Sequence, residues 1–198
     1  MEFDIFLKGF ELNLIVLNEN LVLNSNWYRW FNDEKLTKFM QKHYIPNSLT
    51  SQLEFVSSLE SSASDIILGI EYQGDLIGVC SLNEINHYNK TCSASIIIGE
   101  NIKYDVAALE VFYLLSKHAF LSLNLNKLKI GQHSSLNFFR LNLYKYFGFI
   151  KEGELIDELY KDGKYFNVIL SALFKLDFIN NMKKSELKFV EKKLFKKL

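Results

Sequence analysis

The segment KLKIGQHSSLNFFRLNLYKYFGF, residues 127–149, decides how the chain is read. Leu128 and Ile130 alternate with Lys127, Lys129 and Gly131, the period-two pattern of a half-buried strand. Ser134 or Ser135 can then cap a helix. On that helix Leu136, Phe139, Leu143 and Phe147 recur at helical spacing and form one apolar face. Gly148 stands where a left-handed residue closes a helix, and Phe149 opens the next strand.

Upstream, Thr91 to Ile98 reads as a strand, and Val106 to Leu121 as a long helix with Asp105 as its cap. Val106, Leu109, Tyr113, Leu115 and Phe120 fall on the side of that helix expected to be buried. Ile66 to Tyr72 and Leu76 to Leu82 flank the hairpin turn at Gln73, Gly74 and Asp75, and Asn83 to Lys90 reads as a loop. Nearer the start, Phe10 to Leu14 alternates as a first strand and Asn18 to Asn20 is a polar break. Ser25 to Phe31 and Asn32 to Met40 are short helical pieces, followed by a loop from Gln41 to Pro46. Ser51 and Glu54 form a capping-box pattern for a helix running to about Leu59. Downstream come Phe149 to Leu155, a turn at Asp162 and Gly163, and a final strand from Tyr165 to Leu176.

With 198 residues, 48% of them hydrophobic, the chain can bury one substantial core. One domain is expected over residues 1–178, followed by a basic amphipathic helix or tail over 179–198. The formal net charge is zero, which gives no reason to expect a nucleic-acid partner. The last twenty positions hold seven lysines and two glutamates, so the remainder of the chain is mildly acidic. Leu187, Val190, Leu194 and Leu198 are spaced for one face of a helix, which suits docking on the acidic body or self-association into a homodimer. A partner helix or an anionic membrane surface are the other readings of this tail. No apolar run reaches the roughly 18 residues of a membrane span, and the first residues lack the pattern of a signal peptide, so a cytoplasmic location is expected. Cys80 and Cys92 sit in apolar stretches as reduced, buried thiols, and His43, His87, His118 and His133 show no metal-ligand spacing.

A strand, an Asn at a helix start, a Leu-Tyr pair at 143 and 144 and a closing Gly-Phe at 148 and 149 resemble the second half of the GNAT acetyltransferase fold. The resemblance covers about residues 10 to 178. It implies an α/β (α+β) architecture: a central mixed, mostly antiparallel sheet with helices on both faces, the family's fourth and fifth strands splayed, and here a basic C-terminal helix. It implies acetyl-coenzyme A as co-substrate. Asn137 would bind the pantetheine arm, the backbone of Ile96, Ile97 and Ile98 would hold the donor, and the Tyr144 hydroxyl would assist the departing thiolate.

The block from Trp27 to Leu59 resembles amino-sugar acetyltransferases of the pseudaminic-acid type and, more loosely, enzymes that acetylate ribosomal-protein amino termini. That resemblance implies that Met40, His43 and Tyr44 face the acceptor, a small-molecule amine expected to be a nucleotide sugar. Trp27, Trp30, Phe31 and Phe39 are expected to pack the helices on the sheet.

Two departures stand out. Where the family binds the coenzyme A pyrophosphate, this chain has Lys103, Tyr104, Asp105, Val106, Ala107 and Ala108, with Tyr104 and Val106 in place of glycines. Lys103 partly offsets the Asp105 charge, and the two alanines keep the helix start small. Ser93 occupies the position where many relatives carry a glutamate base, which leaves Glu84 and His87 as the nearest replacements. The expected function is N-acetylation of a nucleotide-linked amino sugar; the alternatives are acetylation of a protein amino terminus and a GNAT-like domain that binds without catalysis.

Overall fold

The computed structural model describes residues 3–40, 45–59, 61–102 and 106–183. Its strands are β1 (Ile5–Lys8), β2 (Leu12–Val16), β3 (Ile66–Tyr72), β4 (Asp75–Asn86), β5 (Thr91–Ile98), β6 (Lys127–His133), β7 (Ile150–Lys161) and β8 (Lys164–Phe174). The helices are α1 (Glu19–Leu23), α2 (Trp27–Trp30), α3 (Glu34–Thr37), α4 (Leu49–Leu59), α5 (Ala107–Lys117), α6 (Asn137–Phe147) and α7 (Lys175–Lys183), with a π-helical turn over His118–Ser122. The strands hydrogen-bond in the order β1-β2-β3-β4-β5-β6-β8-β7. Pairs β1–β2, β2–β3, β3–β4, β6–β8 and β7–β8 are antiparallel, whereas β5 and β6 run parallel. This is the mixed, mostly antiparallel sheet with helices that the sequence implied. Among the described residues no helix is long and apolar enough to cross a membrane.

Contacts gather into two units, Met1–Asn83 with Ser95–Leu114, and Glu84–Ala94 with Leu115–Leu198. In the first, Ile15, Leu17, Leu21, Val22, Trp27, Trp30, Val56, Leu76 and Val79 form one buried cluster, and Ile67 and Ile97 pack against it. Leu68 and Ile70 on the other face of β3 are buried too, so this strand is covered on both sides. The β3–β4 turn has positive φ at Gln73 and Gly74, the backbone of a tight hairpin with the right-handed twist of its strands. Glu110, fully buried on α5, accepts from the backbone N–H of Phe10 (2.5 Å) and of Glu11 (3.2 Å), and so ties the chain before β2 to this helix.

In the second unit β6 pairs with β5 at Thr91↔Lys127, Cys92↔Leu128 and Ser93↔Lys129. β6 is bound along its whole length to β8, from Lys127↔Phe174 to His133↔Val168. Leu143 and Phe147 bury one face of α6. Gly148 closes that helix with φ 84°, and the Asn181 side chain of α7 donates to the Phe147 carbonyl at 2.8 Å. Phe178 of α7 is fully buried against Phe120, ring centres 5.4 Å apart.

Several boundaries differ from the sequence reading. β1 and α1 are additional, and the polar break at Asn18 is a helix cap, its side chain accepting from Leu21 N at 3.0 Å. The helix expected from Ser51 begins at Leu49, with Ser48 Oγ accepting from Ser51 N at 3.1 Å, so the apparent capping box lies within the helix. β4 runs on to Asn86, which places Glu84 in a strand and not in a loop. The long helix ends at Lys117 before its π turn, because the last residues hydrogen-bond with a wider pitch. Neither Ser134 nor Ser135 caps α6: its N-cap is Leu136, without a side-chain bond, because Ser135 turns back to His133. β7 continues past Leu155 to Lys161, and β8 stops at Phe174, where α7 begins and carries the chain across position 178. Asp105 and the tail residues 184–198 lie outside the described residues.

The close approach of Trp30 to Gly99 yields a prediction. A Cβ at Gly99 would sit 2.0 Å from Cδ2 of the indole, so Gly99→Ala must push the ring out of its site. Urea unfolding should show a loss of about 1–3 kcal/mol, the range of an overpacked core; unchanged stability would contradict the packing.

Candidate functional site

In the second unit, β6 delivers the chain into α6 through Ser134, Ser135 and Leu136. His133 Nδ1 meets Ser135 Oγ at 2.8 Å, and its ring lies 4.5 Å from that of Phe166, so this buried imidazole is fixed on both sides. Asn137, the first residue of α6, is exposed, and its Oδ1 accepts from Arg140 Nη2. Arg140 Nη2 also reaches the Ser134 carbonyl at 3.4 Å. Two turns on, the half-buried Tyr144 hydroxyl meets Ser171 Oγ at 2.8 Å. Ser171 is 1% exposed on β8. Either oxygen of this pair can donate; when Ser171 donates, the phenol proton is left for a third group.

Glu84 has φ 52° and a side chain 73% exposed. Its Oε2 accepts from Ser93 Oγ at 3.1 Å and lies 3.7 Å from Lys129 Nζ. A carboxylate of β4 is thus hydrogen-bonded to the Ser93 hydroxyl of β5. His87 is exposed in the turn after β4.

The first unit holds the other expected residues. Ile96 and Ile98 are half-buried at the end of β5, and Ile97 points into the helical cluster. Trp30 Nε1 donates to Glu100 Oε1 at 2.9 Å, while Gly99 N and Glu100 N both donate to the Ile77 carbonyl, at 2.8 and 3.1 Å. Val106 begins the turn into α5, and the Leu109 and Glu110 amides close on its carbonyl. The amides of Ala107 and Ala108 belong to the first turn, where a helix has no acceptor of its own. Glu110, in that turn, accepts from the backbone N–H groups of Phe10 and Glu11. Amide groups left without a helical acceptor are the kind of donor a phosphate takes.

Met40 is half-buried, and Phe39 is 39% exposed, against the expectation that it packs inside; Trp27 and Trp30 are buried as expected. His43, Tyr44, Lys103, Tyr104 and Asp105 lie outside the described residues.

The sequence pattern of the acetyltransferase (GNAT) domain matches residues 24–170. The chain belongs to the GNAT acetyltransferase family. Relatives of this GNAT protein include a spermidine N(1)-acetyltransferase of Escherichia coli K12, 30% identical over 110 residues, which are 56% of this chain and 59% of that protein. The chain thus spans less than two thirds of that relative. A spermidine N(1)-acetyltransferase of Vibrio cholerae is 25% identical over 167 residues, 83% of this chain and 87% of that protein. Among solved structures, a spermidine N-acetyltransferase from Vibrio cholerae in complex with CoA and spermine has a TM-score of 0.75 at 22% identity, covering 86% of this chain and 99% of that one. A microcin C7 self-immunity acetyltransferase in complex with acetyl-CoA and AMP has a TM-score of 0.69 at 19% identity, covering 83% and 92%. Both share the fold.

Ser171 and Arg140 are not among the residues expected from the sequence, although each carries a signal there. A lone hydroxyl in the apolar run of β8 must find a partner once buried. A cation three residues after Asn137 shares its helix face. Both cysteines are free and buried, and burial raises the Cys80 thiol strongly and pushes Cys92 up to about 12, with Lys129 pulling the latter back slightly. Both therefore stay protonated well above neutral pH and are poor nucleophiles. A thiol reagent such as DTNB at pH 8 should label the native protein slowly and the urea-unfolded chain at once. Rapid labelling of the native fold would contradict this burial.

Proposed function

We propose that this GNAT protein transfers an acetyl group from acetyl-coenzyme A to a primary amine of a polyamine. The Tyr144–Ser171 hydrogen bond carries the reading, because it sets a phenol on α6 with a second hydroxyl behind it. The amine lone pair attacks the thioester carbon, the carbon–sulfur bond breaks, and the amine proton passes to a base. Tyr144 gives its proton to the departing sulfur while Ser171 donates to the phenol oxygen. The acyl donor supplies the activated carbonyl. Ile96, Ile97 and Ile98, the amides of Ala107 and Ala108, and Asn137 are the residues assigned to hold it, each by its likeness to the family pattern.

Glu84 is the preferred base. It is hydrogen-bonded to Ser93, whereas His87 is an exposed turn residue with no comparable support. Met40 is assigned to the acceptor side. A polyamine is favoured over the nucleotide sugar anticipated from the Trp27–Leu59 block, because two relatives are spermidine acetyltransferases. A mildly acidic body also suits a polycation.

Mass spectrometry of products from the purified full chain, acetyl-coenzyme A and spermidine should detect monoacetylated spermidine. Tyr144→Phe keeps the ring and removes the proton, so kcat should fall about 100-fold with KM for spermidine little changed. Acetylation of an amino-sugar nucleotide in preference to spermidine would overturn the acceptor. Unchanged turnover in the phenylalanine variant would remove Tyr144 from the chemistry.

A further inference from the structure

Asn137 is held in a way that fixes which end of its amide is offered. Its Oδ1 accepts from Arg140 Nη2, the one hydrogen bond of this side chain among the described residues. A guanidinium carries donors only, and an asparagine amide carries one acceptor oxygen and one NH2 group. Arg140 can therefore engage Asn137 through Oδ1 alone, and the end left outward is Nδ2, a donor. The two residues are three apart on α6, where side chains share a face.

Arg140 is itself anchored. Its Nη2 reaches the Ser134 carbonyl in the segment between β6 and α6, and its backbone N–H bonds the Leu136 carbonyl at 3.2 Å. Nη1 is shielded from water with no hydrogen-bond partner among the described residues. The guanidinium is thus held in place at the cost of one unmet donor.

We infer that Arg140 is a positioning residue that orients Asn137 as a hydrogen-bond donor toward a carbonyl oxygen of the pantetheine arm of coenzyme A. The inference rests on the donor-holding role given to Asn137 above. The arm carries amide carbonyls, which a fixed NH2 group matches and a flipped amide would not. An exposed asparagine without this clamp would spend part of its time with the oxygen outward and lose that fraction of its affinity.

Calorimetric titration of the full chain with coenzyme A itself, with no acceptor present, tests this. Arg140→Met retains the aliphatic bulk and removes the donors; it should weaken binding about 3- to 10-fold, the worth of one net hydrogen bond. In an Asn137→Ala background the same change should have no further effect, since Arg140 acts through Asn137. Asn137→Asp still accepts from Arg140 but presents only oxygen, and it should bind coenzyme A no better than Asn137→Ala. Circular dichroism checks that each variant is folded, and the aspartate variant decides the matter if Arg140→Met does not fold.

Unchanged affinity in Arg140→Met or in Asn137→Asp overturns the positioning role while leaving the transferase reading intact. A loss that persists in the Asn137→Ala background also overturns it, because Arg140 would then touch the ligand directly. Failure of the wild-type chain to bind coenzyme A at all overturns the transferase reading instead.

Discussion

A hydroxyl set in an apolar strand needs a partner, and the pairing of Ser171 with Tyr144 meets that need where β8 is most deeply buried. An unpaired buried hydroxyl costs about 1–3 kcal/mol, so the pair ties the rotation of α6 about its axis to the register of β8. Leu143 and Phe147 agree with that rotation by burying the same side of the helix. Gly148 ends α6 in the left-handed conformation, and a Cβ there would lie 2.4 Å from Asn181 Nδ2, the group that caps the Phe147 carbonyl. With the far end of α6 held in this way, the placement of Asn137 and Arg140 at its start follows.

The first unit depends on a comparable contact. Trp30 lies over Gly99, and its indole N–H is bound to Glu100, which joins α2 to the end of β5. Asn26 adds a longer bond to the same carboxylate, at 3.3 Å. Each of these residues has a packing explanation, so the tryptophans need no role in recognising an acceptor.

Much of this fold was legible because its signals are local. β5 was readable end to end as a strand, and both hairpin turns, at Gly74 and Gly163, from a glycine at a position with positive φ. β1 and α1 escaped notice because four- and five-residue elements show too little periodicity and owe their stability to packing. Glu84 has the look of a loop residue in the sequence because its polar neighbours Asn83 and Asn86 mask the continuation of β4. Within the site, Tyr144 and Asn137 were legible from a pattern of residue types. Ser171 and Arg140 were not, since each gains its meaning from a partner that only the folded chain brings near.

If the family pattern carries its chemistry here, binding of coenzyme A must be felt at residues that the pattern names. Hydrogen–deuterium exchange of the full chain with and without coenzyme A measures this amide by amide. Slowed exchange is expected along Ile96–Ile98 and in the first turn of α6, with β1 and β2 unaffected. Protection confined to β1 and β2, or none anywhere at saturating coenzyme A, would contradict it.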